Sequence, residues 1–274
     1  MKTFRFPAHL VLQLLQHGSA THLSSPLYTP DATLVPPDID AVPEPGNAGA
    51  AFAFPHETLV LYAPTAPHVN IGVKERWRVG SWKEGHITVD YAADGHARRE
   101  WLPVREPHLS TLIRQSCADL DRAGYTPDED GRYTWVPGQA PTRWRKPDGM
   151  RIGLSRLAAV VTHVRPVRLS ALTELDALNA GMNNVSEHWL REHFLSYVLE
   201  RDRAQLENAT SEAPTIIPPN APTPLERLHA ELRRRYQLTP HQDAWIWATD
   251  VQRLDQTPLE IRRQEVAQQD SATQ

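Results

Sequence analysis

Seven cationic side chains fall between positions 143 and 168: Arg143, Arg145, Lys146, Arg151, Arg156, Arg165 and Arg168. One acid, Asp148, lies among them. Guanidinium forks and ammonium heads at this density suit the oxygens of a phosphate chain. Trp144 stands inside the run, and Tyr133 and Trp135 stand just before it. Arginines beside aromatic rings can grip a backbone while a ring stacks on a base. Arg143, Trp144, Arg145, Lys146, Arg151 and Arg156 are therefore read as a nucleic-acid interface. The bland alternative is a solvated strand edge and loop, with the tryptophans in the core.

Glu75 is the second feature. In the run 69–77, read with period two, Val69, Ile71, Val73, Glu75 and Trp77 share one face, and Lys74 and Arg76 the other. A carboxylate on an apolar face must find a cation or hydrogen-bond donors, or take up a proton. Glu75 and Trp77 are expected in a pocket, where the acid contacts a base edge or positions a ligand. A structural ion pair is the other possibility.

Other reactive residue types give less. His188 and His193 are five positions apart, about 140° around a helix, and do not converge. Glu192 can join His188 one turn on, but no third ligand follows, so no metal and no cofactor are expected. Cys117 is the one cysteine. It reads as a small apolar helix residue, and a reducing cytoplasm is the expected location. No glycine-rich phosphate loop, Walker motif or Ser-His-Asp pattern is present.

These residues need elements to carry them. With 274 residues, 40% hydrophobic and 23% charged, the chain can bury a core. Its 24 Pro against 13 Gly favour chain reversals and stiff connections. A net charge of −4 excludes a globally basic coat. It leaves room for a local basic groove, because charges act over about 10 Å at moderate salt. Residues 10–15 could pass for a signal segment, but His9, Gln13, Gln16 and His17 interrupt them. Leu10, Leu14 and Leu15 instead predict an amphipathic helix over 8–17, stopped by Gly18. No run reaches the roughly 20 apolar residues of a membrane span.

Further helices are predicted at 109–123, 173–180, 187–208 and 224–238. Strands are predicted at 4–6, 59–63, 69–77, 87–91, 154–164 and 244–251. Past the Asp94-Gly95 turn, a charged return strand to Trp101 completes a hairpin. Residues 26–55 read as a loop with little structure, 213–224 as a Pro-rich break, and the tail after Thr257 as a frayed helix or disordered. Strands alternate with helices without regular βαβ units. The expected class is α+β, a small closed or nearly closed mixed barrel with inserted and peripheral helices.

Four blocks resemble the ASCH-domain proteins of phages and prophages, within the PUA-like superfamily. The first is Phe6-Pro7-Ala8 through Gly18, then Thr21. The second, Val73-Lys74-Glu75-Arg76-Trp77, is similar to the family's Trp-Val-Arg-Glu-x-Trp strand. The third runs from Trp144-Arg145-Lys146-Pro147 through Met150-Arg151 and Ser155-Arg156-Leu157 to Leu169, with a short acidic helix after it. The fourth is Trp245-Ile246-Trp247 through Arg253. The resemblance implies a PUA-like mixed β-barrel over 1–256, with a Pro-rich insertion at 26–55, a helical insertion at 186–222 and a polar tail at 257–274. It also implies that Glu75 shares a barrel with the Arg156 strand, which makes Arg156 and Arg151 its candidate partners.

Members of that superfamily are linked to RNA binding. One small bacterial branch hydrolyses N(4)-acetylcytidine with a Lys and a Thr in a Gly-x-Lys-Thr-x-Thr turn and a Glu near the end of the acidic helix. In this chain the Lys position falls on Ala20, the nucleophile position on Leu23 and the Glu position on Ala180. A threonine hydroxyl needs an activating base or amine to attack, and leucine has no hydroxyl at all. Thr21, Ser24 and Glu75 remain as weak catalytic candidates. The expected function is binding of RNA, single-stranded nucleic acid or a modified nucleoside, without hydrolase activity and without a membrane partner. Two alternatives stand beside it: an amidohydrolase with an altered site, and a phage accessory or morphogenesis protein acting through protein contacts.

Overall fold

A computed structural model describes residues 1–37, 40–44, 49–54, 59–209 and 221–272. In chain order its elements begin with β1 (Lys2–Arg5), α1 (Ala8–His17), β2 (Ser19–Pro26), β3 (Val42–Pro43), β4 (Ala51–Phe54) and β5 (Leu59–Tyr62). Then come β6 (Asn70–Lys74), β7 (Trp77–Lys83), β8 (His86–Tyr91), β9 (Ala97–Pro103), α2 (His108–Arg122) and β10 (Leu157–Arg168). The last are α3 (Glu174–Asn179), α4 (Glu187–His193), α5 (Leu195–Ala209), α6 (Pro224–Tyr236), β11 (Trp245–Leu254) and α7 (Pro258–Ala272). Among the described residues no helix is long and apolar enough to cross a membrane. The fold is mixed α and β, and the chain divides into two compact units.

The first unit takes residues 1–12, 69–160 and 253–274. In it β1 runs parallel to β6, from Lys2 opposite Ile71 to Arg5 opposite Lys74. The start of β10 pairs antiparallel with β6, Leu157 opposite Val73. The strand expected over 69–77 breaks at Glu75 and Arg76, which lie between β6 and β7. The break goes with a distant contact: Glu75 is tied to Arg156, and the chain leaves β6 to open a separate antiparallel meander, β7-β8-β9. The inner face of that meander, with Trp77, Val79, Ile87, Val89 and Tyr91, packs on Leu109 and Leu112 of α2 and on Met150 and Leu154. The expected amphipathic period of α2 places those leucines inward. Gly124, at φ +78, ends the helix region with the left-handed turn that glycine adopts freely.

β7 is an edge strand of the meander, and the turn-rich segment after α2 covers it. Trp135 donates from Nε1 to the Gly80 carbonyl at 2.8 Å. Thr142 donates to the Val79 carbonyl at 2.5 Å. Arg145 and Trp77 exchange main-chain hydrogen bonds of 2.6 and 3.2 Å. Residues 141, 143 and 145 then face α2. Two residues of extended chain advance about 6.6 Å and one helical turn about 5.4 Å, so alternate side chains meet successive turns.

The second unit takes residues 13–68 and 161–252. Here β2 and β11 pair antiparallel, with Thr21 opposite Asp250 and Leu23 opposite Ala248. Leu23, Ile246 and Ala248 pack with Val167 of β10 against Ala177 of α3 and Leu228 and Leu232 of α6. On the other side Phe52 and Phe54 meet Trp247 and Trp245 at ring separations of 5.6 and 5.5 Å. The loop expected over 26–55 therefore contains a buried strand, β4, held by β5 and by those rings. α3 opens with a reciprocal capping box between Thr173 and Asp176 and is followed by Gly181 at φ +80. The single helix expected over 187–208 is two, because Phe194 leaves helical geometry at φ −138 and ψ 50. The bend lets Arg201 of α5 reach Glu187 of α4 at 2.6 Å. Positions 213–220 of the expected Pro-rich break lie outside the described residues.

The closed barrel expected from the sequence is not formed: among the described residues each sheet has two edge strands. Closure needs every strand to have two partners. Instead β3, β4 and β5 pair with one another, and so do β7, β8 and β9.

Candidate functional site

The structure brings Glu75 and Arg156 together. Glu75 is 1% exposed. Arg156 meets it as a fork, Nε to Oε1 at 2.9 Å and Nη2 to Oε2 at 3.0 Å. The same guanidinium donates twice to Asp94, at 2.8 Å each, and lies 4.4 Å over the Tyr91 ring. Burial pushes the Glu75 carboxyl above its ordinary pKa, and Arg156 pulls it back. Burial also works against the Arg156 charge, but the two carboxylates hold its pKa above the ordinary value. Tyr91 donates to the Leu154 carbonyl at 2.6 Å, and burial pushes its phenol up to about 12. Trp77 is fully buried, and its Nε1 has no hydrogen-bond partner among the described residues. The expected base pocket at Glu75 and Trp77 is thus filled by Arg156, in a triad of one cation and two carboxylates.

The rest of the basic run is divided. Arg143, Lys146 and Arg151 are exposed on the first unit. Trp144 lies under Arg78, whose guanidinium is 4.4 Å from the ring centroid. Arg145 is half-buried and donates to the Gln115 side chain. Burial, then the neighbouring Arg143 charge, lowers its pKa from the ordinary guanidinium value. Arg151 and Arg145 both act on His108, whose pKa is lowered first by burial and then by those cations. Arg165 and Arg168 belong to the second unit. There Arg165 pairs with Asp176 at 2.6 Å, and Arg168 donates to the Pro37 carbonyl at 2.9 Å.

The second unit also holds a cavity of about 530 Å³. Its walls are Gly18 at the end of α1 and the first residues of β2, Ser19 to Thr21, with Thr162 and Arg165 of β10, Asp176 and Asn179 of α3, and Asp250 and Gln252 of β11. Gly18 shapes the turn, at φ +72, and its N–H closes α1 on the Leu14 carbonyl at 3.1 Å. Thr21 is 3% exposed and donates from Oγ1 to Asp250 Oδ1 at 2.7 Å. The pairing register of β2 and β11 sets these two side chains opposite one another. Asp176 accepts from the Thr173 N–H and hydroxyl at 2.9 and 2.7 Å. Burial works against its charge, but the bonds from Thr173 and Arg165 hold its carboxyl below the ordinary range.

Ala20, Leu23 and Ala180 occupy the positions that the resemblance marks for amine, hydroxyl and carboxylate, and all three are buried. Ser24 stands opposite Trp247 in the register, does not line the cavity, and its buried hydroxyl has no partner among the described residues. Asn179, Asp250 and Gln252 were not singled out in the sequence. Strand alternation within β11 does put Asp250 on the Ala248 face, but only the β2 pairing sets it against Thr21. Among the described residues no group of three or more His, Cys, Asp or Glu is gathered to hold a metal. His188 pairs with Glu192 at 3.4 Å on α4, and His193 stacks on Trp189 at 4.0 Å. No family model, curated protein or solved structure matches the chain.

Proposed function

We propose that the chain is an ASCH-like module, related to the PUA superfamily, that binds a nucleoside, a nucleotide or single-stranded nucleic acid and lacks hydrolase chemistry. The observation that carries this reading is that the turn after α1 and helix α3 line one cavity. Those are the two segments that the ASCH resemblance singles out. The volume falls in the roughly 300–1,000 Å³ range of small-molecule sites. Asn179 and Gln252 carry amide donors and acceptors suited to a base edge. Arg165 adds a half-exposed cation. In the polymer version of this reading, Arg143, Lys146 and Arg151 supply phosphate contacts on the first unit.

Titration calorimetry with cytidine, N(4)-acetylcytidine, cytidine monophosphate and a short single-stranded RNA, at two salt concentrations, tests the reading. The folded protein binds at least one of them, and Asn179→Ala with Gln252→Ala weakens that binding about tenfold, as loss of one or two hydrogen bonds does. Absence of binding to all four disproves it.

A second reading rests on the Thr21–Asp250 hydrogen bond in the cavity wall. Asp250 takes the hydroxyl proton, Thr21 Oγ1 attacks an amide carbonyl, and the proton passes to the leaving nitrogen. Water then hydrolyses the acyl ester. Turnover of N(4)-acetylcytidine, lost in Thr21→Val, would establish this reading in place of the first.

A further inference from the structure

We propose that the first unit carries a phosphate-binding clamp, formed by Arg122 and Arg143 on either side of the buried carboxylate of Asp119. The site shares Arg143 with the polymer version of the proposed function and deepens it, but it stands whether or not the cavity of the second unit takes a nucleoside. It is built by the match between α2 and the extended segment beside it. Gln115, Asp119 and Arg122 fall at i, i+4 and i+7, on one face of the helix. Arg145 and Arg143 lie at a two-residue step on the segment that runs along that face. Arg145 meets Gln115, and one turn on Arg143 meets Asp119.

Asp119 is the anchor. Its side chain is 3% exposed. Oδ1 accepts from Arg122 Nη1 at 3.2 Å, and Oδ2 accepts the main-chain N–H of Arg143 at 3.1 Å. The Arg143 Nε is also 3.7 Å from Oδ2. One fixed carboxylate therefore draws two guanidinium groups toward each other, while both side chains stay largely open to solvent, at 71% and 52%. Arg122 and Arg143, with Asp119, Ala123 and Pro141, line an opening of about 250 Å³. An arginine has five N–H donors in a planar fork, and each of these two spends few of them on Asp119. The remaining pairs suit the oxygens of a phosphate.

Charge points the same way. Arg122 and Arg143 share the Asp119 carboxylate, and Arg145, held at Gln115 one turn back, carries two buried nitrogens with no hydrogen-bond partner among the described residues. Asp121, the other acid on this part of α2, is engaged by the Tyr133 hydroxyl at 3.4 Å. A phosphate in the opening relieves the repulsion between the two guanidinium groups that border it. The opening is smaller than typical nucleotide sites, so the group recognised is phosphate itself. It can arrive as free phosphate or a terminal monoester, or as a diester of a single strand.

Two probes separate these sources: inorganic phosphate, and a ten-residue thymidine oligonucleotide without terminal phosphates. Each is titrated into the full chain at fixed ionic strength and followed by amide chemical shifts. Binding of inorganic phosphate alone assigns the clamp to free or terminal phosphate, and binding of the oligonucleotide assigns it to the diester. In either case Arg122→Gln and Arg143→Gln each weaken binding about tenfold, and the double variant abolishes it. Arg122→Lys keeps the charge, loses the fork and recovers part of the affinity. Asn179→Ala with Gln252→Ala leaves phosphate binding unchanged, which separates this result from any failure at the cavity. Both arginines pair with the buried Asp119 carboxylate, so the glutamine variants should melt below wild type. Dispersed amide spectra show that they remain folded at the titration temperature, and Arg122→Lys, which keeps a charge beside Asp119, is the stability-matched comparison. Binding of neither probe, or equal binding by the double variant, overturns the proposal.

Discussion

Arg156 is the residue whose environment most constrains the chemistry of the first unit. Its guanidinium is shared between a buried carboxylate and a half-buried one, and so it is unavailable to a ligand. Removing it leaves Glu75 charged in an apolar setting, which typically costs about 3–5 kcal/mol. The pH dependence follows from the direction of the Glu75 shift. Its folded-state pKa lies above the unfolded value near 4.5. A carboxyl shifted that way contributes its full stability below the unfolded pKa, and the contribution is lost as the pH rises through the folded pKa. Arg156→Leu should therefore be strongly destabilised in urea at about pH 8 and much less at about pH 5. Adding Glu75→Gln should restore most of the loss at the higher pH. An Arg156→Leu deficit that is the same at both values would show that Glu75 is not what the arginine compensates. Alternation in the sequence set Val69, Ile71, Val73, Glu75 and Trp77 on one face; the last four are buried and Val69 is partly so, although the strand itself stops at Lys74. Asp94 was not legible as a partner, because it sits 62 positions from Arg156 in an exposed-looking Asp-Gly turn.

Elements governed by local rules were read well, and those governed by distant contacts were not. The helix over 8–17 carries its own leucine period and glycine stop, and α1 spans those residues. The Thr173 cap and Gly181 stop likewise bound α3. By contrast, β4 is four residues long inside a Pro-rich stretch, and it is a strand because Phe52 and Phe54 find Trp247 and Trp245. The break at Glu75 goes with a tertiary partner, Arg156, and the break at Phe194 brings Arg201 to Glu187 across the bend. α3 offers a direct test at this scale. Asp176 closes the capping box, fixes Arg165 and borders the cavity. Asp176→Ala should cost about 1–2 kcal/mol at neutral pH, the worth of a cap. The folded-state pKa of Asp176 is depressed below 3.8, so its contribution is present above the unfolded value and is lost as the pH falls through the folded one. Denaturant midpoints of the variant and wild type should differ at about pH 7, begin to approach one another as the pH falls past 3.8, and converge only below the depressed folded-state pKa. A gap that persists in acid would assign the loss to packing instead.

At the scale of the whole molecule, the chain is shared between two units in an interleaved way. The first unit draws on three stretches of sequence and the second on two. Three of the four boundaries fall inside α1, β10 and β11, each of which begins in one unit and ends in the other, and the fourth lies between β5 and β6. A strand or helix cannot keep half of its hydrogen bonds while the rest melts without paying for new frayed ends, so such elements tie the two cores into one cooperative transition. Tryptophan placement makes this measurable. Trp77, Trp82, Trp101, Trp135 and Trp144 belong to the first unit, and Trp189, Trp245 and Trp247 to the second. Urea unfolding followed by tryptophan fluorescence and by far-ultraviolet circular dichroism should give one coincident midpoint. Leu232 is 1% exposed in the core of the second unit. Leu232→Ala should remove about 2–5 kcal/mol and move both signals together. Two resolved transitions, or a fluorescence change confined to part of the amplitude, would mean that α1, β10 and β11 do not transmit stability between the cores.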